Sequence, residues 1–173
     1  MRSIPDPGFG GDDGSVEPEV ASAMAVYAAD PDRLHHRTLA VLQDSRLLVP
    51  VVAVLGEVEH DERGLAHDKT SDMATVLMRG RDGRLALLAF TGNEPLHRWN
   101  PEARPVPVTA QQAARAAMQD DAAALLVDVA GPALLVVEGD DLRSLAEGFR
   151  LVETGGGWAW VRVSDPAGES PDR

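Results

Sequence analysis

The chain has 173 residues, 44% of them hydrophobic and 25% charged, which bounds it to one soluble globular domain able to bury roughly two-thirds of its unfolded surface. A net charge of −12 repels phosphate backbones and anionic lipid, so nucleic acid and membrane surfaces are excluded as partners without a segregated basic patch, and no apolar run approaches a membrane span. Cysteine is absent, which removes disulfides, a thiol nucleophile and thiolate metal sites, and points to the cytoplasm.

Residues 1–16 are Gly, Pro, Asp and Ser with scattered apolar residues and no signal-peptide core, and read as a disordered leader. Order is expected from Glu17-Pro18, where Val20, Met24, Tyr27 and Ala28 recur at helical spacing. Asp30-Pro31 ends that helix and starts a second, with Asp30 as N-cap and Leu34, Thr38, Val41 and Leu42 on one face. Leu47 to Leu55 is a β-branched apolar run; Pro50 marks it as an edge strand, or as a strand beginning after the proline. Gly56 to Asp72 is a long acidic connection.

Met73–Arg79 and Arg84–Phe90 flank Gly80-Arg81-Asp82-Gly83 and predict an antiparallel hairpin. The wholly apolar Leu85–Phe90 reads as a buried strand running into the polar loop Thr91-Gly92-Asn93-Glu94-Pro95, a helical turn carrying Trp99, and the stiff Pro105-Val106-Pro107. Thr109 with Gln112 is a capping box opening a helix with a stripe of alanines. Ala124–Val129 and Ala133–Val137 form strands about Gly131-Pro132, and Asp140 or Asp141 caps a helix ending near Gly148. Gly155-Gly156-Gly157 is a flexible loop, Trp158–Val163 a last strand whose tryptophans share one face, read as core or else as an exposed aromatic patch, and 164–173 a flexible tail. The expected fold is α+β, with residues 17–163 forming one domain whose mixed, mostly antiparallel sheet carries packed helices.

Candidate chemistry is sparse. The loop holding Glu57, Glu59, His60, Asp61, Glu62, His67 and Asp68 has donors suited to zinc or manganese, but its spacing matches no metal cage. His35 and His36 occupy adjacent helical positions that point different ways, so they are not expected to chelate together; no metal and no cofactor is expected. No Gly-x-Ser-x-Gly elbow, P-loop or His-Glu-x-x-His is present, and no catalytic residue is assigned. Arg79, Arg81, Arg84, Arg98 and Arg104 make one basic cluster, read as solvated hairpin arginines or as a seat for an anionic ligand or acidic partner segment.

Lys69-Thr70-Ser71-Asp72-Met73, Asp82-Gly83-Arg84, Leu88-Ala89-Phe90-Thr91, Leu96 with Trp99, and Arg104-Pro105-Val106-Pro107 together resemble the N-terminal domain of SseB-type proteins (enhanced serine sensitivity protein B), in the form common in high-G+C Gram-positive bacteria. The resemblance covers roughly residues 20 to 150. It implies an α+β cytoplasmic bacterial module without an established enzymatic mechanism, and defines no catalytic residue.

Phe90, Thr91, Trp99 and Arg104 match the best-marked segment of that pattern and, with Arg98, are the expected binding residues; Phe90 and Trp99 read equally as core. The expected function is a non-enzymatic binding or regulatory module. It would hold a protein partner, another copy of itself included, through the loop after strand 85–90. The alternative is an enzyme or small-ligand binder for an amino-acid-like anionic metabolite, with Arg98 or Arg104 on its carboxylate and Glu94 or Asp72 on its amine.

Overall fold

The computed structural model describes residues 8–54 and 72–163. The chain opens with α1 (Pro18–Tyr27), α2 (Pro31–Leu42) and β1 (Arg46–Val54), followed by β2 (Asp72–Thr75), β3 (Leu77–Arg79) and β4 (Leu85–Ala89). Next come α3 (Asn93–Trp99), β5 (Arg104–Thr109), α4 (Ala110–Gln119), β6 (Ala124–Val127) and β7 (Leu135–Glu138). The last elements are α5 (Gly139–Glu147), β8 (Phe149–Thr154) and β9 (Gly157–Arg162). The result is an α+β domain with mostly antiparallel pairing. The acidic loop from Glu57 to Asp68 lies outside the described residues. No helix among the described residues is long and apolar enough to cross a membrane.

The local signals explain the helices. Asp30 caps α2 by accepting from the Arg33 N–H at 3.3 Å. At α4, Gln112 donates its N–H to Thr109 Oγ1 at 3.1 Å and Gln112 Oε1 accepts from the Thr109 N–H at 2.8 Å, a complete capping box. Gly148 closes α5 in the left-handed region at φ 83°. The expected aspartate cap of α5 is corrected: Glu138 holds the N-cap position, and Asp140 and Asp141 stand in the first turn, where their charge still favours the helix.

The strands form two sheets, ordered β2-β1-β5 and β3-β4-β6-β7, plus the hairpin β8-β9. β4 and β6 run parallel, while the other pairs are antiparallel. The sheets meet where Leu48 and Phe90 exchange both backbone hydrogen bonds at 2.8 Å.

That exchange also corrects the reading of Pro50. β1 has β2 on one side and β5 on the other, so it is a central strand. Because Leu48 spends its backbone groups on Phe90, its pair with Pro107 is of the non-hydrogen-bonded kind, and alternation puts Pro50 opposite Pro105 in the same kind of pair. No proline therefore interrupts the β1–β5 ladder. Pro105-Val106-Pro107, expected as part of a loop, is an edge strand with its missing amides on the outer side.

β4 is buried on both faces, which is why it reads as an unbroken apolar run. Leu87 and Ala89 enter the main core with Leu125, Val127, Leu135 and the alanines of α4, whereas Leu88 and Phe90 enter a second, smaller core with Leu48, Leu96 and Ala103. Small residues at Ala110, Ala113, Ala114 and Ala117 let α4 lie close on the sheet. Trp158 and Trp160 pack half-buried against the main core, while Val161 and Val163 are exposed. Gly155 and Gly156 are the turn of the β8–β9 hairpin, and Gly157 opens β9 at φ 126°.

Candidate functional site

β4 and β6 are parallel, so their C-terminal ends lie side by side, with Ala89 opposite Val127. The residues leaving those ends meet. Thr91 donates its N–H to Asp128 Oδ1 at 2.8 Å and its hydroxyl to Asp128 Oδ2 at 2.7 Å, and both residues are buried. Asp128 holds φ 60°, a left-handed position that aspartate and asparagine tolerate better than most residues, and its own N–H donates to the Ala89 carbonyl at 3.0 Å. Burial pushes the Asp128 carboxyl above the ordinary aspartate value, while the two Thr91 hydrogen bonds and the charge of Arg98 pull the other way.

The Thr91 carbonyl accepts from Arg46 Nη1 at 2.9 Å. The same guanidinium reaches Asp12 through Nε at 2.7 Å and Nη2 at 2.9 Å, and the Ser15 carbonyl through Nη2 at 2.7 Å. Gly14 accepts the Asn93 N–H at 2.7 Å through its carbonyl. A Cβ on Gly92 would stand 2.6 Å from Val16 Cγ2, so the bare glycine is what lets the two backbones approach. Residues 8–16, expected to be part of a disordered leader, are thus a docked segment, held by a buried arginine and a glycine contact.

A groove of about 260 Å³ opens above the Thr91–Asp128 pair. Val16, Ala21, Met24 and Ala25 form one wall; Pro95, Pro132 and Ala133 form the other. Glu94 and Arg98 stand on its rim, paired at 2.8 Å. Larger clefts of about 360 and 470 Å³ lie beside Arg46 and the 9–18 segment, and neither is lined by Thr91 or Asp128.

Of the expected binding residues, the structure brings Thr91 and Arg98 together at the groove. Phe90 is fully buried, and Trp99 packs half-buried beside it with ring centroids 5.7 Å apart, so both belong to the smaller core. Arg104 is exposed on β5 and does not line the groove. The basic cluster also disperses: Arg84 pairs with Asp82 at 2.6 Å and Glu138 at 3.2 Å at the start of β4, the opposite end from Arg98. Asp128, Met24 and the segment at Val16 were not singled out; an aspartate following the apolar run Ala124–Val127, as Thr91 follows Leu85–Phe90, was the available signal.

Replacing Asp128 by Asn is expected to preserve or raise stability near neutral pH, since the amide can meet Thr91 and carries no charge to desolvate. Asp128→Ala strands a buried N–H and is expected to lose about 1–3 kcal/mol. With a raised pKa, the folded chain holds the Asp128 proton more tightly than the unfolded chain. That contribution is therefore present below the ordinary carboxylate value and is lost as pH rises through the raised one. Urea titrations of wild type and Asp128→Asn from acid to neutral pH read the difference; parallel curves would contradict it.

No curated protein and no solved structure matches the chain. The model of one family, described as the SseB protein N-terminal domain, matches residues 20–144, a span that starts in α1 and contains Thr91, the groove rim and Asp128. The chain belongs to the SseB family.

Proposed function

We propose that this domain is a non-enzymatic cytoplasmic binding or regulatory module that engages a protein partner at the groove between α1 and α3, over the end of β4. The observation that carries the reading is the groove itself: apolar walls, a charged Glu94–Arg98 rim, and polar groups beneath that satisfy one another. An apolar side chain of the partner fills such a depression while a charged neighbour engages the rim. The Thr91 hydroxyl is buried and committed to Asp128, a poor arrangement for a nucleophile but a good one for a rigid floor.

Affinity capture from the cells that express the protein tests this. Ala25→Glu and Arg98→Glu, both on exposed residues, are expected to weaken capture of the same partner by about tenfold or more, roughly 1.4 kcal/mol. Arg143→Glu, on α5 and paired with Asp140, is expected to leave it unchanged. Sedimentation at increasing concentration shows whether that partner is a second copy. Identical captured sets and identical sedimentation for all four chains would overturn the proposal.

One observation favours the second reading, an amino-acid-like ligand. Glu94 and Arg98 place opposite charges side by side on a groove of small-molecule size. Arg104 does not line this groove, so Arg98 is the residue proposed for the ligand's carboxylate. Calorimetric titration with L-serine and other amino acids separates the readings: heat that disappears in Arg98→Glu supports the small ligand, and its absence leaves the protein partner.

A further inference from the structure

On α2, His35 and His36 were expected to diverge. Their rings do stand nearly perpendicular, yet a third residue stands in the angle between them and is reached by both. Asp141, in the first turn of α5, places Oδ2 at 3.2 Å from His35 Nε2 and 3.3 Å from His36 Nε2. The three ligand atoms all lie within 4.8 Å of one another. The two rings stand edge to face at 81°, so their nitrogens approach the carboxylate from different directions.

We propose that His35, His36 and Asp141 form a site for a divalent first-row transition ion, with zinc as its simplest occupant. The geometry carries the assignment. In a tetrahedral zinc site with ligand bonds of about 2.0–2.1 Å, neighbouring ligand atoms stand roughly 3.3–3.4 Å apart. The two imidazole–carboxylate separations already have that length, and the two imidazole nitrogens lie within 4.8 Å of each other, so the remaining adjustment falls on the histidine side chains. Two imidazoles and a carboxylate make a nitrogen–oxygen donor set of the kind zinc and its neighbours accept, with water completing the shell on the side where His36 is half-exposed.

The surroundings are arranged as an ion site needs. Trp160 Nε1 on β9 donates to Asp141 Oδ1 at 2.8 Å, which fixes the carboxylate and leaves Oδ2 to face the imidazoles. The ligands come from α2 and α5 and their orienting group from β9, so a bound ion ties α2 to an α5 carboxylate that lies far away in the sequence. The groove at Thr91 contributes none of these residues.

The test is calorimetric titration of the metal-free full chain with zinc, repeated with cobalt to read the visible bands of a tetrahedral ion. One ion per chain is expected, with Trp160 fluorescence changing as it binds. His35→Ala, His36→Ala and Asp141→Asn should each abolish high-affinity binding. Trp160→Phe should weaken it by about 10–100-fold. His60→Ala with His67→Ala, which alters the acidic loop, should leave it intact. Circular dichroism of each variant confirms that it folds; Asp141→Asn keeps the oxygen that Trp160 needs. Retained zinc affinity in the three ligand variants, loss only in the His60/His67 pair, or no zinc binding by the wild-type chain would each overturn the site.

Discussion

Phe90→Ala is expected to lower the free energy of unfolding by about 3–5 kcal/mol, read as a drop in the urea midpoint with the slope unchanged. Domains of this size are stable by only about 5–15 kcal/mol, so the loss is a large share of the whole. The ring is completely buried and packs on Trp99, Leu48, Leu88 and Leu96 in the smaller core. That cluster has few members, so little can collapse into the space the ring leaves. The backbone of Phe90 meanwhile exchanges hydrogen bonds with Leu48 where the two sheets join, which fixes the walls of the cavity. Phe90→Leu keeps part of the volume and is expected to lose less. A loss under about 1 kcal/mol for the alanine variant would place the ring outside a packed interior.

Arg46→Ala is expected to be comparably severe, about 3–5 kcal/mol, because it breaks a buried ion pair and leaves the remaining charge unpaired. The Arg46 side chain is 6% exposed and its Asp12 partner 18%. Removing the guanidinium strips Asp12 of its counter-charge and the Thr91 and Ser15 carbonyls of a donor at one stroke. Arg46→Lys keeps the charge but offers one ammonium where a planar fork now reaches four oxygens on three residues, so an intermediate loss is expected. Hydrogen exchange adds a local readout: amides from Gly14 to Val16 should lose protection first, since that segment is held through this contact. A double-mutant cycle with Asp12→Ala should give strong coupling, whereas additive losses would contradict the pairing.

Much of the fold was legible because its signals are local. The proline starts and apolar spacing of α1 and α2, the Thr109–Gln112 box and the unbroken run of β4 each lie within a few residues of what they determine. What escaped depends on partners far away in the chain. The prolines of β5 disguise an edge strand whose register is set by Leu48 and Phe90. Phe149–Thr154 lacks a clean alternation and becomes β8 only by pairing with β9 across the glycine turn. Gly8–Val16 has the composition of loose chain, yet it is held by an arginine on β1. At the groove, Thr91 and Arg98 were found from the strand end they follow. Asp128 escaped because its position depends on the parallel pairing of β4 with β6. Phe90 and Trp99 illustrate the ambiguity of aromatics near a strand end, which pack inward as readily as they present a surface.

The outer side of β5 bears on how copies of this domain can meet. A second chain laid along that side would find carbonyl acceptors but, at Pro105 and Pro107, none of the donors that a growing ladder requires. Polymerisation by strand addition is thereby disfavoured along this side.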